Sequence, residues 1–212
     1  MAVCNRPNLI GRSKEYTQRV VRESYLPGNL QGLAHSLPWP IDLGTPNIHL
    51  SCYFAEIPYS DPIASDCSHN GLDIQVSAGT PVSAPERAKV LVIQFDYDRS
   101  LADVYLWGEH SRIVYALAHL DPNSLPMNIK KRGRFDAHTE TMVDLGETVG
   151  SVGRWPFTLK TDVQIPDDVE NVYGRQYHHL HFTTKYHQGV LSYRNLSDFY
   201  GDVNPLLVLE RL

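Results

Sequence analysis

Four side chains suited to metal or proton chemistry stand at two short spacings. His69 and Asp73 lie in "SDCSHNGLDIQVSAGTPVSAP" (65–85), with three residues between them at the mouth of an alternating segment. His179 and His181 lie in "YHHLHF" (177–182), with one residue between them. Residues two apart in an extended strand point to the same side, so His179 and His181 share a face. Both can face one ion, or one can bind while the other contacts a bound water. A loop-to-strand entry can bring His69 and Asp73 inward to meet them. Imidazole and carboxylate are ligands that zinc prefers, and three such ligands with one position left for water make a hydrolytic site. Taken singly, each spacing is a weak signal, because an ordinary strand histidine or turn carboxylate accounts for it.

The elements that must position these residues read as strands. "LDIQV", "PVSA", "KVLVIQFDYD", "DVYLWGEH" and "RIVYALAHL" alternate with period two between turn-forming residues. "GETVGSVG" continues the pattern, and "HHLHFTTKYH" is a later strand. Short strands at this spacing predict a mainly β fold, an antiparallel β-sandwich or barrel-like domain. Two longer connections, 121–145 and 154–177, interrupt it. Residues 13–25, "SKEYTQRVVRESY", predict an N-terminal helix that Pro27 and Gly28 stop. From 26 to 68 the chain is rich in Pro, Gly, Asn and Ser, and reads as an irregular wrap. The expected organisation is therefore residues 1–65 as helix and extension, and residues 66–212 as the β domain.

Composition narrows the function. The chain has 212 residues, 42% hydrophobic and 20% charged, which suits a globular domain with a real core. Its formal net charge is −5, and "NIKKRGR" (128–134) is the only basic cluster, so nucleic acid is a poor partner. No run of about 18 apolar residues offers a membrane span. The opening "MAVCNRPNLIGRSKEY" lacks the apolar stretch of a secretory signal, and Cys4 only faintly resembles the end of a lipoprotein leader. Location is left open between the cell envelope, if the chain is exported or trimmed, and the cytoplasm. Three cysteines are too few for a disulfide framework; Cys52 and Cys67 either pair or stay as thiols.

The flanks of the histidines carry a family likeness. "HNGLDIQVSAGTPVSAPERAKVL" resembles the signature of lysostaphin-type (LytM-like) zinc endopeptidases, which have a duplicated hybrid motif fold. "YALAHLDP" is similar to that family's central segment, "LGETVGSVG" to its glycine turn, "HLHF" to its closing motif and "DVNPLLVL" to its tail. The likeness spans about 66–209 and keeps the order of five segments.

That resemblance implies roles for particular residues. His69, Asp73 and His181 are similar to the family's ligands for one zinc ion per chain. His119 and His179 match its two catalytic histidines. The implied activity is hydrolysis of peptide bonds in peptidoglycan cross-links or stem peptides. The chain departs from the pattern at 154–177, a long insert, and at "RQYHHLHF", which replaces small residues. Trp155, Tyr173 and Tyr177 in the insert either line a substrate groove or pack the insert onto the sheet. His178 should face away from the site, while Asn70 and Asp66 either brace His69 or form its turn. His35, His49, His110, His138 and His187 read as surface or loop residues. A different class, a non-catalytic peptidoglycan-binding or regulatory module, would keep the same fold without turnover. A lipoyl-type carrier needs an exposed lysine in a tight hairpin, and "PMNIKKRG" is a poor match.

Overall fold

The structure is a computed structural model, and it describes residues 26, 28–45, 48–52, 70–96, 98–134, 136, 138–156, 178–186 and 202–211. The helix expected at 13–25 lies outside these residues. Ten strands are described: β1 (His49–Cys52), β2 (Gly71–Gln75), β3 (Pro81–Ser83), β4 (Ala88–Asp96), β5 (Leu101–Gly108), β6 (Ile113–Leu120), β7 (Met142–Val143), β8 (Thr148–Ser151), β9 (His179–Tyr186) and β10 (Asp202–Val203). One turn of helix, α1 (Met127–Lys130), sits in the connection between β6 and β7.

An eight-stranded sheet runs β1-β2-β9-β6-β5-β4-β7, with β10 also pairing to β9. All its pairings are antiparallel. β3 and β8 form a separate two-stranded sheet. The strands expected from the period-two pattern are present. They do not close into a barrel: among the described residues the large sheet is open, with β1 and β7 at its ends. Nor is the 26–52 stretch only an irregular wrap, because it supplies β1 as an edge strand.

Alternation divides the large sheet into two faces. Leu72 and Ile74 of β2, Leu180 and Phe182 of β9, Tyr115 and Leu117 of β6, and Val104 and Leu106 of β5 all enter one buried cluster. Val82 and Val149 of the small sheet and Ile129 of α1 join the same core. Leu30, Leu33, Leu37 and Trp39, from the chain before β1, pack there too. Burying each large aliphatic or aromatic side chain stabilises the fold by roughly 1.5–3 kcal/mol, so this face anchors the sheet. The opposite face carries the intervening residues, among them Asp73, Gln75, Asp103, His179, His181 and Thr183.

Register on that second face is set by the pairing of β2 with β9. Asp73 lies opposite His181, and Gln75 opposite His179. A slip of one residue would send every one of these polar groups into the core, so the apolar face fixes the polar one. Gly71, opposite Thr183 in the same ladder, lets the strands approach. A Cβ added there would come within 2.6 Å of the Phe182 carbonyl oxygen and 2.9 Å of His181 Cε1. Gly71→Ala should therefore destabilise the protein by about 1–3 kcal/mol in urea unfolding. A change within about 0.5 kcal/mol, the range of an ordinary surface substitution, would show that the ladder is not so tightly closed.

Candidate active site

Cross-strand pairing brings a carboxylate and two imidazoles together. Asp73 Oδ1 is 2.8 Å from His181 Nδ1 and 3.8 Å from His179 Nε2. Both Asp73 and His179 are nearly sealed, at 2% and 3% exposure, whereas the His181 side chain keeps 18%. The far nitrogen of His181, Nε2, lies 3.3 Å from Asn70 Oδ1. Asn70 thus sits against His181, and its expected neighbour His69 lies outside the described residues, as do Asp66, Tyr173 and Tyr177.

His119 reaches this face by an irregularity in β6. Regular alternation after Leu117 would put Ala118 on the site face and His119 in the core. Instead β5 advances two residues, from Ala102 to Val104, while β6 advances three, from Leu120 back to Leu117. The extra residue is a bulge, and His119 within it has φ +67°. Such a bulge re-aims one side chain without disturbing the rest of the strand. Leu120 then returns to the core. The His119 ring ends with Nδ1 3.0 Å from His179 Nε2, and its centroid lies 5.8 Å from that of His181. A contact between two imidazole nitrogens needs one proton, donated by either ring, so the pair shares a single N–H there.

Two groups hold the bulge. The His119 N–H donates to Asp103 Oδ1 at 3.0 Å, and the His119 carbonyl accepts from the Gly153 N–H at 2.8 Å. Gly153 must lack a side chain, since a Cβ would lie 2.5 Å from Leu101 Cδ2 and 2.9 Å from the His119 oxygen. Burial pushes the Asp103 carboxyl up to about 7; the His119 N–H opposes that rise, and the charge and hydrogen bonding of Asp96 add to it. Tyr105, on the same strand face, is pushed up to about 12, chiefly by burial and then by the charges of Asp103 and Asp96.

Trp155 covers the histidine pair. Its ring centroid is 4.6 Å from that of His119 and 4.8 Å from that of His179, tilted against both, and the residue is 5% exposed. His178, expected to point away, reaches the site indirectly: its Nδ1 accepts the Trp155 N–H at 2.9 Å. Burial, helped by the charge of Arg154, holds the His178 imidazole below its usual range, which keeps that nitrogen free of a proton and able to accept. Of the remaining histidines described in full, His110 and His138 are exposed, and half-buried His35 sits in a turn with Nδ1 3.0 Å from the Leu209 carbonyl.

The structure therefore brings together Asp73, His119, His179 and His181, with Trp155 against the histidines. Sequence reasoning did not find Asp103 or Gly153. The one signal for Asp103 was an acid inside the otherwise apolar run "LADVYLW". Among the described residues Gln75 Oε1 and Thr183 Oγ1 are buried with no hydrogen-bond partner, two residues along their strands from Asp73 and His181. Polar capacity left unmet in a native structure concentrates where a fold serves something other than stability.

Whether a metal suits these residues is tested by their donor atoms. Carboxylate oxygen and imidazole nitrogen form the donor set of divalent zinc. Asp73 Oδ1 and His181 Nδ1 already face one another, and a proton on His181 Nε2, directed at Asn70 Oδ1, would leave Nδ1 as the lone-pair atom. Among the described residues no group of three metal-ligating side chains is present. Two donors are there, and they fit.

Three solved structures are similar to the chain. A crystal structure described as peptidase M23 from Pseudomonas aeruginosa aligns over 93% of this chain and 59% of its own, at 22% identity and a TM-score of 0.44. The solution structure of lysostaphin aligns over 74% of this chain and 48% of its own, at 17% identity and a TM-score of 0.44. A zinc-containing peptidase from Vibrio cholerae aligns over 71% of this chain and 37% of its own, at 18% identity and a TM-score of 0.43. This chain thus spans about half the length of the structures it resembles. No protein-family model and no curated protein matches the sequence.

The left-handed backbone at His119 makes a stability prediction. A side-chain-bearing residue pays about 1–2 kcal/mol in that region, and glycine does not. His119→Gly should therefore be more stable than His119→Ala by about 1 kcal/mol in chemical denaturation, the reverse of the order in a regular strand. Equal stability of the two variants would mean that no such bulge exists.

Proposed function

We propose that the chain is a zinc-dependent metalloendopeptidase that hydrolyses peptide bonds in peptidoglycan cross-links or stem peptides. One observation carries the reading. A sealed carboxylate, Asp73, faces His181 while a second histidine pair, His119 and His179, shares a proton beside them. The peptide substrate is drawn from the motif resemblance, and it would place the working protein in the cell envelope or outside the cell.

Asp73 and His181, with His69 as the third ligand, would hold one zinc ion. Bound there, zinc supplies Lewis acidity that polarises a carbonyl and brings the pKa of water toward neutrality. The chain's own histidines handle the protons. With one N–H between them, His119 and His179 can take a proton from the attacking water and return it to the leaving amine. The ring that holds the proton donates to the developing oxyanion. Trp155 excludes water from one side of the pair. Asn70 orients the His181 ring. Tyr173 and Tyr177 remain candidates for the substrate groove.

Purified protein should carry close to one zinc per chain and release peptides from purified peptidoglycan, identified by mass spectrometry. Chelation should abolish release and added zinc should restore it. His181→Ala should lower activity by at least about 10²-fold, the scale expected when a site residue is lost. Zinc-loaded protein that binds wall fragments without cleaving them would instead support the non-catalytic binding module. Protein that cannot be loaded with zinc would end the peptidase reading.

A further inference from the structure

We infer that Asp103 is the positioning residue that keeps the His119 ring on the site face, by accepting the N–H of the bulged residue. The inference rests on the proposed function for its kinetic consequence, and on geometry alone for its structural one. Asp103 is the β5 residue that faces the bulge, between Ala102, paired with Leu120, and Val104, paired with Leu117. A bulge interrupts the ladder at the extra residue in β6, and a buried N–H there needs an acceptor. Asp103 Oδ1 accepts it at 3.0 Å.

The opposite side of the bulge is closed by a backbone hydrogen bond, from the Gly153 N–H to the His119 carbonyl. Asp103 is therefore the side chain in the clamp. Without it, the backbone of residue 119 is freed to leave the left-handed region, which L residues other than glycine avoid. Regular pairing would then rotate the ring toward the core face and part it from His179. Only an acceptor oxygen is needed, so the hold survives protonation of the carboxyl, and an amide should serve as well. Asp103 touches no reacting atom; it acts through His119.

The test compares Asp103→Ala and Asp103→Asn with the native protein. Long-range proton–nitrogen spectra of the imidazoles read the N–H shared by His119 and His179, and steady-state kinetics on peptidoglycan peptides separate kcat from KM. Asp103→Ala should lose the shared-proton signature and lower kcat by about 10²-fold, as a displaced group of this kind does, with KM little changed. Asp103→Asn should keep the signature and most of kcat. If Asp103→Ala does not fold, Asp103→Ser takes its place, its hydroxyl one atom too short to reach. An unchanged signature in the Ala or Ser variant overturns the inference, and so does an Asn variant as damaged as Ala. If native protein cleaves no peptide, the functional reading falls while the spectra still decide the role of Asp103.

Discussion

A buried carboxylate facing an imidazole across two paired strands is the interaction on which the rest of the structure depends. Asp73 has almost no access to water, and a sealed charge is tolerated only with close partners. His181 is its partner because β2 and β9 are antiparallel and in one particular register. That register is not chosen by the polar residues. Leu72, Ile74, Leu180 and Phe182, on the other face of the same strands, are buried in one cluster, and a one-residue slip would part them and put Asp73 and His181 on opposite faces. Hydrophobic burial thus sets the geometry of the polar cluster, and the cluster need contribute little to stability.

The second constraint works against the grain of the sheet. Placing His119 beside His179 requires an extra residue in β6 and a backbone conformation that costs free energy. The surroundings offset that cost with hydrogen bonds to both backbone groups of His119 and a glycine at 153 that admits the neighbouring chain. Trp155 then packs on the two rings, and His178 fixes the Trp155 backbone in turn. Strain concentrated at one residue, with several independent contacts enforcing it, is the pattern expected where geometry serves chemistry.

Much of this was legible from local pattern. Period two located the strands, and a spacing of two placed His179 and His181 on one face. What local pattern cannot convey is anything set by long-range register. Alternation along "YALAHL" sends His119 to the core with Tyr115 and Leu117; only the pairing of β5 with β6 reveals the bulge. Asp103 was invisible for the same reason, since its partner is a backbone N–H sixteen residues away. Alternation assigns His178 to the far face, yet its Nδ1 accepts the Trp155 backbone N–H because the two chain segments meet there. The open edge of the sheet likewise depends on which strands pair, and short alternating strands suit a closed barrel equally well.

On the proposed reading, folding prepares Asp73 and His181 as joint ligands of one divalent ion. Anomalous diffraction at the zinc edge, from crystals grown with zinc, tests it most directly. The account predicts a single peak about 2.0–2.2 Å from a carboxylate oxygen of Asp73 and a ring nitrogen of His181, with His69 completing the set. A zinc peak elsewhere, with Asp73 and His181 still hydrogen-bonded to each other, would contradict it.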